Sequence, residues 1–128
     1  MNIEIGNTYN AGELNLECLS LRVRADIDLG DYVLLCSNYR AGTVTNGVRH
    51  ALWFADMRIL KGDIIFVFTR SGSYDLSTSK EGTRFHYIYW GLKEPIWNAD
   101  NRAPVLLHAP IWETKPPDSL QAKPSKGP

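Results

Sequence analysis

A chain of 128 residues with 44% hydrophobic, 11% aromatic and 22% charged residues falls among ordinary soluble domains and can bury one core without disulfide or metal staples. Its 14 Lys and Arg residues balance 14 Asp and Glu residues, a formal net charge of zero, which removes the overall basic field that nucleic-acid binders usually carry. The polar opening MNIEIGNTYNAGELN has neither a basic n-region nor an apolar h-region, so no secretory signal or membrane span is expected and the chain reads as cytoplasmic.

Residues 1–13, rich in Asn, Gly and Glu, are expected to be a flexible N-terminal segment, poorly ordered or edge-forming. A single β-sandwich domain is expected over residues 14–114. Its first strand covers Leu14 to Val23, LNLECLSLRV. The apolar parity changes there between Cys18 and Leu19, which suggests a bulge or two short strands meeting. The next segment holds Asp26, Asp28 and Asp31. Alternating aspartates resemble a calcium loop, but the twelfth-position glutamate is missing and the glycine displaced, so an Asp/Gly turn is the better reading. Tyr32 to Ser37 reads as a short apolar strand. Asn38 to Gly47 reads as a loop ending in the Asn-Gly turn signal, and Val48 to Phe54 as the strand after it. Ala55 to Asp63 reads as a connection with a buried Ile59 or Leu60.

The densest strand signals come next. Ile64 to Thr69, IIFVFT, is entirely β-branched or aromatic and too short for a helix that must repay its nucleation cost. Arg84 to Trp90, RFHYIYW, alternates into two rows. Phe85, Tyr87 and Tyr89 are expected on the core face, and Arg84, His86, Ile88 and Trp90 on the outward one. Between these strands, Ser71 to Gly82 reads as a long polar loop. Ile96-Trp97 is a brief extended segment and Asn98 to Asn101 a tight turn. Pro104 implies that the last strand, Ala103 to Ala109, is an edge or begins there. Seven short strands without a helical period predict an all-β, immunoglobulin-like β-sandwich of about seven to nine short antiparallel strands. Residues 115–128, KPPDSLQAKPSKGP, are too poor in apolar groups to offset the entropy of ordering and are expected to be a disordered tail.

The chemical inventory is thin. His50, His86 and His108 are far apart, and no His-x-His or Cys-x-x-Cys spacing occurs; no metal or other cofactor is expected. Ser71-Gly72-Ser73 lacks the glycine pattern of a nucleophile elbow, and the glycines sit singly rather than in a phosphate-cradling loop. Cys18 and Cys36 lie in apolar runs and read as buried free thiols, with a disulfide as the alternative.

Several short motifs resemble the lamin tail domain. They are Leu52-Trp53-Phe54, the run Ile59-Leu60-Lys61-Gly62-Asp63-Ile64-Ile65, Tyr89-Trp90-Gly91, Ile96-Trp97-Asn98 and Ala103 to Leu107, with Gly30 to Leu35 at the family's early strand. The resemblance covers roughly Leu16 to Trp112 and implies an immunoglobulin-like sandwich. It departs from eukaryotic lamins in having no heptads and no C-terminal prenylation box, which implies a stand-alone relative of the bacterial type, used as an interaction module and without catalytic residues. The expected function is therefore a non-catalytic protein-interaction module with another protein as partner. The alternative is a nucleic-acid or other polyanion-binding sandwich built on Arg22, Arg24, Arg40, Arg49, Arg58, Arg70 and Arg84. Arg84 and His86, on the expected outward row, are the candidate binding residues, and any of Trp53, Trp90, Trp97 and Trp112 that lies outside the core could add a binding aromatic.

Overall fold

A computed structural model describes residues 1–122. Ten strands follow one another: β1 (Ile3–Tyr9), β2 (Cys18–Val23), β3 (Ile27–Asp28), β4 (Tyr32–Arg40), β5 (Thr43–Trp53), β6 (Arg58–Ile59), β7 (Ile64–Phe68), β8 (Asp75–Thr78), β9 (Arg84–Tyr89) and β10 (Arg102–His108). They form a five-stranded sheet ordered β1-β2-β7-β9-β8, a three-stranded sheet ordered β10-β4-β5, and the small pair β3-β6. The fold is all-β and sandwich-like. Alternate residues of both sheets meet in one core: Leu19, Leu21 and Val23 of β2 and Ile65 and Val67 of β7, against Tyr32, Leu34 and Cys36 of β4 and Leu106 of β10. Burying one such aliphatic side chain is worth about 1.5–3 kcal/mol, so these residues fix which way each sheet faces. No helix among the described residues is long and apolar enough to cross a membrane.

Several expectations are corrected. Of the two expectations for residues 1–13, the edge-forming one holds and flexibility does not: β1 pairs with β2 along the sheet edge, with Ile3 buried opposite Val23. Leu14 to Leu16 belong to a turn, in which Leu16 and Glu17 both donate to the Glu13 carbonyl. The parity change thus marks the start of β2, not a bulge within it. The hairpin between β4 and β5 turns at Ala41-Gly42, both at positive φ (53° and 81°), as a two-residue primed turn requires. Asn46-Gly47 instead lies in an irregular stretch of β5. A Cβ at Gly47 would come within 2.6 Å of the Asn38 side-chain amide nitrogen, which would have to turn aside. The expected polar loop from Ser71 to Gly82 contains β8, which pairs with β9. Inserting β8 at the edge leaves β7 and β9 parallel, so the sandwich is not wholly antiparallel.

Other expectations hold. The aspartates serve a turn: Asp28 caps the 3-10 turn Leu29–Asp31 by accepting from the Gly30 N–H at 2.9 Å, and Asp26 accepts from the Lys61 N–H at 2.8 Å. Ile59 is fully buried, and β10, with Pro104, is an edge strand. Residues 115–122 of the expected tail are exposed and include a 3-10 turn, Pro117–Leu120; the rest of that segment lies outside the described residues.

Both cysteines are buried free thiols, and burial raises both thiols above the usual value. A group raised on folding contributes stability that is present below its unfolded pKa and lost as pH climbs toward the folded one. Urea-unfolding free energy is therefore expected to decline above about pH 9, where unfolded thiols ionise and folded ones do not. The decline is at most about 1.4 kcal/mol per pH unit per thiol. A Cys18→Ala, Cys36→Ala double variant should show a flatter alkaline limb; an unchanged limb would assign it to other groups.

Candidate functional site: an aromatic sheet face and the histidine beneath it

The five-stranded sheet turns an aromatic surface to solvent. Its β7 and β9 are in parallel register, with Phe66 beside Tyr87 and Phe68 beside Tyr89. Because Ile65 and Val67 point into the core, Phe66 and Phe68 must point out. The parallel register puts Phe85, Tyr87 and Tyr89 on that same outer side. Phe66 stacks on Phe85 and on Tyr87 at centroid distances of 6.0 Å, and Phe68 stacks on Tyr89 at 5.2 Å. Tyr9 of β1 meets Phe66 edge-on at 6.1 Å. At one end the Arg70 guanidinium lies 4.9 Å from the Tyr89 ring centre and 5.5 Å from that of Phe68. It is held there by donating to the carbonyls of Asn15 and Ser71. Gly72 runs against the Tyr89 ring, where a Cβ would come within 2.5 Å.

The sequence expectation for β9 is thus inverted. Phe85, Tyr87 and Tyr89 form the half-buried outer row, and His86, at 1% exposure, lies on the inner one. Ile88 and Trp90 pack against the core from the same side. The aromatic row is the bulkier, but bulk does not decide the face: the register with Ile65 and Val67 does.

The two candidate binding residues converge on one carboxylate. Asp63 Oδ2 lies 2.8 Å from His86 Nε2 and 3.3 Å from an Arg84 terminal nitrogen, and accepts from the Leu60 N–H at 3.1 Å. On the other side of the ring, His86 Nδ1 lies 2.8 Å from the Tyr74 hydroxyl. Burial holds the Tyr74 phenol above its usual value, the Arg84 charge opposing and those of Asp63 and Asp75 assisting. A protonated phenol donates and a carboxylate accepts, so one neutral tautomer, with its hydrogen on Nε2, satisfies the whole chain. His86 is a satisfied structural histidine that ties the segment before β8 to the sheet. A phenol raised in this way is poorly suited to act as a nucleophile or base.

The remaining charged and aromatic residues divide in two. Arg22 and Arg24 pair with Glu4, and Arg58 with Asp26. Trp97 is buried and Trp90 packs against the core, whereas Trp53 and Trp112, 53% and 59% exposed, meet edge-to-face at 5.1 Å. Trp53 also lines an apolar cleft of about 290 Å³ with Leu52, Met57, Tyr74 and Ile88. Glu17, which sequence reading passed over, is completely buried. Its two oxygens accept from Thr69 Oγ1 and from the N–H groups of Gly12, Ile96 and Trp97.

Comparison with protein-family models, with curated proteins and with solved structures finds no match to this chain.

Proposed function

We propose that this protein is a non-catalytic binding module that docks another protein on the outer face of its five-stranded sheet. The observation that carries this reading is the row of Tyr9, Phe66, Phe68, Phe85, Tyr87 and Tyr89 ending at Arg70. A sheet face turned to water normally carries polar residues at its alternate positions. Tyr, Phe and Arg are instead the residues enriched at the desolvated centres of protein interfaces. Pairing of Arg22, Arg24, Arg58 and Arg84 with carboxylates leaves fewer cations for a polyanion and favours the protein-binding reading. The resemblance to the lamin tail domain supports the same kind of role.

The test is affinity capture of the tagged protein from lysate of its own host, with and without nuclease, beside a Tyr87→Thr, Tyr89→Thr variant that preserves β propensity. A stoichiometric protein partner is expected to survive nuclease. Interface anchors contribute about 2 kcal/mol or more each, so the variant should retain at least ten-fold less, with an unchanged circular dichroism spectrum. Equal retention by the variant, or loss of all co-eluting protein on digestion, would overturn the proposal.

A further inference from the structure

A second cleft involves none of the aromatic-face residues. It encloses about 420 Å³ and is lined by Arg49 and His50 of β5, Arg102 of β10, and the segment Leu92, Lys93, Glu94, Pro95 and Ile96. Its volume lies within the range of about 300–1,000 Å³ typical of small-ligand pockets. Three cations against one carboxylate give the lining a net charge of 3 − 1 = +2, and none of Arg49, Lys93 and Arg102 forms an ion pair among the described residues.

The backbone explains how these charges come together. Arg102 lies opposite Asn38 on one side of β4, and His50 opposite Cys36 on the other. Between the pairs Cys36–His50 and Ser37–Val48 the register of β5 slips by one residue, and that extra residue is Arg49. A bulge of this kind re-aims a side chain, and here it brings Arg49 beside His50 at the cleft. Both guanidiniums act on the same buried thiol: the Arg102 and Arg49 charges each favour ionisation of Cys36, against a larger opposing effect of burial. The Nε of Arg102 is shielded from solvent and has no hydrogen-bond partner among the described residues. A buried guanidinium N–H without an acceptor is costly; because this Nε is closed to a water-sized molecule, an anion in the cleft would have to be held by the terminal nitrogens of the guanidinium. Leu92, Pro95 and Ile96 add an apolar wall.

We propose that this cleft is a binding site for a small organic anion, its phosphate or carboxylate group held by Arg102 and Arg49 with Lys93 at the rim and its apolar body against Leu92, Pro95 and Ile96. Guanidinium groups suit such oxyanions because their fork of donors matches them two at a time.

The test is isothermal titration at low ionic strength with phenyl phosphate and with benzoate, which share an apolar body and differ in the anion. Sodium chloride at matched ionic strength is the control. Saturable binding of at least one probe is expected, and the tighter one identifies the group. Arg102→Met and Arg49→Met keep the aliphatic stem and should each weaken that binding at least ten-fold, while Arg22→Met, on a guanidinium paired elsewhere, should leave it unchanged. Binding no stronger than that of chloride would overturn the site, as would equal affinity in both cleft variants. Displacement of the probe by a single-stranded oligonucleotide that binds more tightly would overturn the small-ligand assignment.

Discussion

Replacing Glu17 with alanine is expected to lower the free energy of unfolding by about 3–5 kcal/mol, the range for removing one partner of a buried charged network. The size follows from what the carboxylate holds. Gly12 precedes β2, Thr69 follows β7, and Ile96 and Trp97 belong to the segment between β9 and β10. All four donate to Glu17. Alanine would leave the Thr69, Ile96 and Trp97 donors buried without an acceptor and open a void beside Ile96, while the exposed Gly12 N–H could turn to water. Glu17→Gln keeps the shape but sets an NH2 group against backbone N–H donors, so it should recover only part of the loss. Urea unfolding measures both values, and hydrogen exchange should quicken at the Ile96 and Trp97 amides in particular. A loss below about 1 kcal/mol for alanine would mean that water replaces the carboxylate at little cost.

Glu17 also illustrates where sequence reading ends. Its four donors come from positions 12, 69, 96 and 97, and no local pattern announces an arrangement assembled from such distant segments. Strands with strong local preference were legible: β7 in IIFVFT, and β10 as an edge because of Pro104. The face of β9 was not. Both of its rows are largely apolar or aromatic, so alternation alone leaves two choices, and only the register with β7 selects one. The hairpin turn was misplaced because Ala41-Gly42 and Asn46-Gly47 both offer a glycine. The closer signal won because Arg40 and Thr43 already pair across it, whereas Gly47 lies within β5 beside the Asn38 side chain. The candidate binding residues Arg84 and His86 do meet, but on Asp63 rather than at the surface. Of the aromatic face, the expectation puts Phe85, Tyr87 and Tyr89 on the wrong side, gives Phe66 and Phe68 no side, and leaves Tyr9 outside any strand.

Asp63 carries the second large effect. It is 4% exposed and joins two elements through three contacts: the turn at Gly62, through the Leu60 N–H, and β9, through His86 on its inner row and Arg84 at its start. Asp63→Ala is expected to cost about 3–5 kcal/mol, because a buried imidazole N–H and a half-buried guanidinium lose their acceptor together. Asp63→Asn, which retains one acceptor oxygen, should cost less. The network predicts more than a loss of stability. Tyr74 reaches Asp63 only through His86, so removing the carboxylate frees the ring to turn and loosens the tyrosine that precedes β8. A double-mutant cycle between Asp63→Asn and Tyr74→Phe should then give a coupling energy of about 0.5–1.5 kcal/mol, although the two side chains share no direct bond. Additive effects within about 0.3 kcal/mol would show that the imidazole is fixed by its packing alone. Loss of any protein captured by the proposed docking face in Asp63→Asn, with the fold intact, would tie this relay to that face, since Phe85 and Tyr87 flank His86 along the same strand.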